Sequence, residues 1–138
     1  MAPTLAERGG RKFYIQHNLV SDSPGLAPRT DPNLVNPWGL AAGDDTALWV
    51  NDEATGVSTI YAGNGRPAPL VVTVPPAAGG SAPSSPTGIV YSEAGDTDPS
   101  AFAVSGPLGT APSVFIFDTL GGTISGWNRN VDPANAVL

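Results

Sequence analysis

Cysteine is absent from this chain of 138 residues, and histidine occurs once, as His17. The missing thiols exclude a disulfide, a thiolate nucleophile and a cysteine-based zinc site, and they leave the redox compartment open. A serine triad needs a histidine to take the proton of the nucleophile, and His17 lies in a predicted strand. No Gly-x-Ser-x-Gly elbow is present either. We assign no catalytic residue from the sequence.

Charged residues are also scarce, at 13% of the chain, and acids outnumber bases by twelve to six. Three of the six bases, Arg8, Arg11 and Lys12, lie within the first dozen residues. Nucleic acids and anionic membrane surfaces are bound through clustered lysine and arginine, which the acidic remainder lacks. We therefore expect no nucleic-acid partner.

Long apolar runs are missing as well. The first twenty residues contain no apolar stretch of signal-peptide length, and no later segment is long enough to cross a bilayer. The sequence predicts no membrane insertion and shows no export signal, so it leaves the compartment open.

Glycine and proline are abundant, with 17 and 15 residues, and 41% of the chain is hydrophobic. Both residues disfavour helices, because proline removes a hydrogen bond and glycine loses more backbone entropy on ordering. Short runs of β-branched and aromatic residues alternate with turn residues along the chain. The sequence therefore predicts an all-β fold with many tight turns.

The pattern divides the chain into a disordered leader (1–12), a strand over Phe13 to Val20, and two four-stranded antiparallel meanders. Residues 36–75 form the first meander, and its four predicted strands are Trp38 to Ala42, Leu48 to Asp52, Val57 to Ala62 and Leu70 to Val74. Residues 86–128 form the second, with predicted strands Pro86 to Tyr91, Ala101 to Ser105, Val114 to Asp118 and Thr123 to Trp127. A Pro/Gly/Ser-rich loop separates them.

The two meanders repeat one another, because Pro86-Thr87-Gly88 echoes Pro37-Trp38-Gly39 after about fifty residues, a period typical of propeller blades. The hairpin ending at Trp127 also matches the one ending at Tyr61 without a gap, which leaves the register of the repeat open. We interpret residues 13–138 as an incomplete β-propeller. Propellers have roughly four to eight blades, so two blades need other blades or self-association to close the ring.

Four segments carry a family resemblance, and they cover the opening, the second meander and its last hairpin. They are Asn18-Leu19-Val20-Ser21-Asp22 with Pro24-Gly25-Leu26, Thr30-Asp31-Pro32-Asn33-Leu34-Val35-Asn36-Pro37-Trp38-Gly39-Leu40, Ser85-Pro86-Thr87-Gly88-Ile89-Val90 and Gly122-Thr123-Ile124-Ser125-Gly126-Trp127-Asn128. They resemble the start of a family of uncharacterised bacterial proteins with predicted six-bladed propellers, in the blade style of NHL and gluconolactonase-like proteins. The resemblance implies a fold and an extracytoplasmic location, and it transfers no metal ligand.

Three residues are candidates for ligand binding: Trp38, Asn51 and Asp52. Asn51 and Asp52 end a predicted strand, where their oxygens could serve calcium, although such residues more often bond nearby backbone. Trp38, with Trp49 and Trp127, could stack on a sugar or could pack between blades. No metal site is assigned from the sequence, and calcium is the one cofactor kept open.

The leading hypothesis for function is a propeller scaffold that binds a small molecule or a protein, without chemistry of its own. The first alternative is a metal-dependent enzyme of the lactonase or hydrolase type, completed by other blades. The second is a truncated product with no function of its own.

Overall fold

The computed structural model describes residues 6–8 and 11–138. Within these ranges the chain is all-β, with antiparallel sheets and almost no helix. Part of the predicted leader over residues 1–12 lies outside the described residues. In its described part, β1 (Ala6–Arg8) and β2 (Arg11–Phe13) pair antiparallel.

The strand predicted over Phe13 to Val20 is wrong, because residues 14–20 have no regular structure beyond the end of β2. The side chain of Tyr14 is 83% exposed, and none of the described sheets pairs with this stretch. Strand-forming side chains alone do not make a strand when no sheet edge is there to accept their backbone hydrogen bonds.

The first sheet is the predicted four-stranded meander. It contains β3 (Pro37–Ala41), β4 (Leu48–Asp52), β5 (Val57–Tyr61) and β6 (Val72–Thr73), in the order β3-β4-β5-β6. Gly56 has a φ of +73° in the turn between β4 and β5, a conformation that glycine adopts without steric cost. Because side chains alternate along a strand, Trp49 and Asn51 face one side of this sheet and Val50 and Asp52 face the other.

The second sheet has three strands rather than the predicted four. Its strands are β7 (Pro86–Tyr91), β10 (Phe115–Thr119) and β11 (Ile124–Trp127), in the order β11-β10-β7. After β7 come a helix, α1 (Ala94–Thr97), and a separate hairpin of β8 (Ala103–Gly106) and β9 (Gly109–Pro112). The run predicted over Ala101 to Ser105 lies in this hairpin, because β10 already has a partner on each edge.

Residues 134–137 lie between the outer strands of the two sheets. Thr73 in β6 accepts a hydrogen bond from the amide of Ala136 and donates one to the carbonyl of Ala134, both at 2.9 Å. Val137 and Gly126 in β11 exchange two backbone hydrogen bonds of 2.8 Å. This segment therefore occupies the place beside β11 that a fourth strand of the second sheet would take.

An aromatic layer joins the two sheets face to face. The Trp49 ring stacks on Phe115 with centroids 4.1 Å apart, and it lies 4.8 Å from the ring of Trp127 at a tilt of 54°. These rings are at most 7% exposed and form the centre of the core with Ile60, Val72, Val74, Ile89 and Phe117. Among the described residues, no helix is long and apolar enough to cross a membrane.

Candidate functional site

Trp38 lies at the exposed edge of the first sheet. Among the residues that the structure describes, strand β3 has a partner on one side only. Its pairing with β4 shifts register between Pro37 and Gly39, so that Trp38 is the extra residue of a bulge. Bulges redirect side chains and occur often beside binding sites. The Trp38 side chain is 62% exposed, which leaves its ring available to a ligand.

Asn51 is completely buried on the face that contacts the second sheet. Its amide nitrogen donates a hydrogen bond of 2.8 Å to the carbonyl oxygen of Gly88 in β7. The Oδ1 atom of Asn51 has no hydrogen-bond partner among the described residues. The side chain therefore links the sheets, and binding of a ligand by Asn51 stays a prediction.

Asp52 is also completely buried, but it points to the opposite face of the first sheet. Its Oδ2 atom accepts a hydrogen bond of 2.7 Å from the hydroxyl of Thr59, while Oδ1 has no partner within the described part of the chain. Burial raises the pKa of Asp52 to about 7, and the nearby charge of Asp31 acts in the same direction. The carboxyl group therefore keeps its proton to a higher pH than an exposed aspartate does.

Asp31 and Tyr61 extend this buried polar cluster. The Tyr61 hydroxyl donates a hydrogen bond of 2.8 Å to Oδ2 of Asp31, and burial raises the pKa of the Tyr61 phenol. The Oδ1 atom of Asp31 accepts a hydrogen bond from the amide of Asn33, which forms an Asx turn. The cluster ties the segment before β3 to the face of the sheet that bears Asp52.

Sequence reasoning found Asp52 and missed its partners. Thr59 and Tyr61 are two residues apart in β5, and this spacing was the one available signal that they share a face, which β4–β5 pairing makes the face of Asp52. Asp31 lies in a loop 21 residues before Asp52 in the sequence, and nothing in the local pattern indicates that contact. Trp38, Asn51 and Asp52 do not form one site, because they are respectively exposed, buried between the sheets and buried on the opposite face.

The two remaining tryptophans, Trp49 and Trp127, pack in the core and have no free face for a sugar. The Nε1 atom of Trp127 donates a hydrogen bond of 3.3 Å to the carbonyl of Pro133. Over residues 6–8 and 11–138, no three histidine, aspartate or glutamate side chains are grouped so as to hold a metal ion. Binding of calcium and a metal-dependent hydrolase activity stay predictions.

The chain is similar to an uncharacterized protein of Acanthamoeba polyphaga mimivirus, with 34% identity over 120 residues. The matched region covers 87% of this chain but 28% of the viral protein, which is therefore more than three times as long as the match. No family model matches the chain, and no solved structure matches it.

These comparisons correct the family expected from the sequence. The segments at residues 18–26, 30–40, 85–90 and 122–128 resemble a bacterial family of six-bladed propellers, but no model of that family or of any other matches. The similar protein that was found belongs to a virus. The assignment to a bacterial NHL-like or gluconolactonase-like family is therefore wrong, because short Pro/Gly turn motifs recur in unrelated meanders.

Proposed function

We propose that the two sheets are neighbouring blades of a β-propeller, and that the propeller is a binding scaffold. The observation that carries this proposal is the wedge shape of the pair. At one side, β3 and β7 pack so closely that a side-chain carbon on Gly39 would overlap the carbonyl oxygen of Thr87. At the other side, residues 134–137 lie between β6 and β11.

Such a wedge is the shape of one sector of a ring. In a propeller the first strands of successive blades crowd around a central channel, and the outer strands are farther apart. Both β3 and β7 are the first strands and the edge strands of their sheets, as this arrangement requires. The length of the viral relative leaves room for several more sheets of the same kind.

The exposed ring of Trp38, on the bulge of β3, is the proposed contact for a ligand or a protein. A tryptophan ring offers a large flat surface and one hydrogen-bond donor at a small cost in conformational entropy. A blade edge beside a central channel is a common place for ligands in this architecture.

A structure of the full-length viral relative tests the architecture. We expect a ring of blades in which the region similar to residues 37–127 supplies two neighbouring ones. A closed two-layer sandwich without a ring would overturn the proposal. Titrating this chain with soluble oligosaccharides and short peptides tests the binding role: we expect a saturable change in tryptophan fluorescence that Trp38→Ala removes, without formation of a product.

A further inference from the structure

The first three strands of the first sheet and the three strands of the second sheet share one pairing pattern, including an irregularity in their hydrogen bonding. In the first sheet the pairing shifts between Pro37 and Gly39, and Pro37 lies opposite Asp52. In the second sheet the equivalent shift places Pro86 opposite Thr119. Superposing the two bulges makes Trp49 equivalent to Ile116, and it shows that the turn before β11 is one residue shorter than the turn before β5.

This equivalence identifies a partly exposed receiving surface on the first sheet. In the second sheet, the face that covers Trp49 is formed by Ile89, Phe115, Phe117, Ser125 and Trp127. The matching positions of the first sheet are Leu40, Leu48, Val50, Thr59 and Tyr61, which we call the receiving face. Leu40 and Leu48 on this face are 65% and 36% exposed, whereas Thr59 and Tyr61 are buried.

The receiving face contains an apolar cavity of about 240 Å³. The cavity is lined by Leu40, Leu48, Val50 and Tyr61 of the sheet and by Leu19 and Leu34 of the segment before β3. The equivalent surface of the second sheet is filled by Trp49. The cavity therefore lies where the first sheet would receive a side chain in the way that the second sheet receives Trp49.

The opposite end of the chain carries the matching inserting surface. Ala41, Trp49 and Ser58 face the second sheet, and their equivalents are Val90, Ile116 and Ile124, which we call the inserting face. The β8–β9 hairpin lies along one side of this face, where Val104 is next to Gly126. Val90 and Ile124 remain 56% and 65% exposed.

We propose that a second copy of this chain docks on the receiving face through its own inserting face. The contact repeats the one between the two sheets of a single chain. Each copy has one receiving face and one inserting face, so it can bind one neighbour through each of them. Such a head-to-tail contact closes into a ring when the rotation between copies allows it. Since propellers have roughly four to eight blades, the ring would contain about two to four copies. This inference rests on the proposed blade architecture.

Complementation between two variants tests the head-to-tail contact. Leu40→Glu places a charge on the receiving face, and Ile124→Glu places one on the inserting face. We expect light scattering to show a closed oligomer for the unmodified chain, and each variant alone to associate at least about tenfold more weakly. A mixture of the two variants has one intact face of each kind, so it should form a one-to-one pair and nothing larger.

Leu120→Glu is the matched control, because Leu120 is 66% exposed but lies in the turn between β10 and β11. It should leave the oligomer unchanged. Circular dichroism of each variant confirms that the fold is kept. A folded, monomeric unmodified chain, or a mixture of variants that fails to pair, would overturn self-association. Neither result contradicts the blade architecture, because further sheets of a longer protein would then cover both faces. The structure of the viral relative tests the blade architecture separately.

Discussion

The amide of Asn51 donates a hydrogen bond to the carbonyl of Gly88, 2.8 Å away, and so joins the second strand of one sheet to the first strand of the other. Asn51 is fully buried, so this bond forms where water does not compete. A buried side chain that bonds backbone across an interface fixes the register of the two sheets as well as their separation.

Asn51→Asp should destabilise the fold more than Asn51→Ala does. The aspartate replaces the donor by an acceptor that faces the Gly88 carbonyl, whereas alanine only removes the bond. We expect losses of about 3 kcal/mol and about 1 to 2 kcal/mol in the free energy of unfolding by urea at pH 8. Asn64→Asp in an exposed turn is the control, since its Oδ1 still accepts the hydrogen bond from Arg66. Equal stabilities for Asn51→Asp and the control would contradict this role.

Trp49→Ala should lower the stability of the fold far more than Trp38→Ala does. Trp49 is 4% exposed and stacks on Phe115, so its removal leaves a cavity and should cost about 3 to 5 kcal/mol in unfolding free energy. Trp38 is 62% exposed, and its removal should change stability by about 0.5 kcal/mol or less. Urea denaturation of both variants provides the comparison. A stability loss of equal size at Trp38 would show that its ring is packed.

Gly39→Ala should weaken the contact between the sheets, because the added carbon would overlap the Thr87 carbonyl and crowd Ile89. Backbone cannot move aside as a flexible side chain can, so we expect a loss of about 1 to 3 kcal/mol. Gly63→Ala is the control, since a side-chain carbon there meets no atom of the described residues within 4 Å. Thermal denaturation of the two variants should separate them by several degrees, and matching midpoints would argue against close packing of β3 on β7.

Asp52 should make the protein less stable as the pH rises from about 4 to about 7. Its pKa is about 7 in the folded state against an ordinary value of 3.8, so within this window the folded chain binds the proton more tightly than the unfolded chain does. The loss should be on the order of 3 kcal/mol and complete above pH 7.

Asp52→Asn should flatten this dependence, because the amide is neutral at every pH and its oxygen can still accept the Thr59 hydrogen bond. Urea denaturation at pH 5 and pH 8 measures this pH dependence of the free energy of unfolding. Asp44→Asn, at an exposed turn, should keep the slope of the unmodified chain. If the free energy of unfolding of Asp52→Asn still falls between pH 5 and pH 8, another group causes the pH dependence.

Local pattern predicted the first sheet well and the second sheet only in part. The predicted bounds of β4 are the observed ones, and the predicted β5 is one residue too long at its end. Alternating side chains and turn residues define such short hairpins in the sequence. The strand over Ala101 to Ser105 was placed in the wrong sheet, since a sequence does not show which edge a strand will find. The gapless match between the last hairpin and the first aligned β10 with β4. That alignment differs by one residue from the alignment obtained when the two bulges are superposed.

The candidate site shows the same limit. Strand ends pointed to Asn51 and Asp52, and aromatic content pointed to Trp38, but the opposite directions of Asn51 and Asp52 follow from sheet pairing. The contacts of Asn51 with Gly88 and of Tyr61 with Asp31 join residues about 30 or more positions apart. Such contacts are set by how the layers pack, which local periodicity does not report.

The pairing of Thr73 with residues 134–136 has a consequence for synthesis on the ribosome. Strands β3 to β6 can pair as soon as residue 73 is clear of the exit tunnel, but the outer edge of β6 acquires its partner only about sixty residues later. At several residues per second, that edge stays unprotected for seconds in each nascent chain. An unpaired edge is a template for wrong pairing between neighbouring nascent chains, so slower translation of residues 74–136 should lower the yield of folded protein.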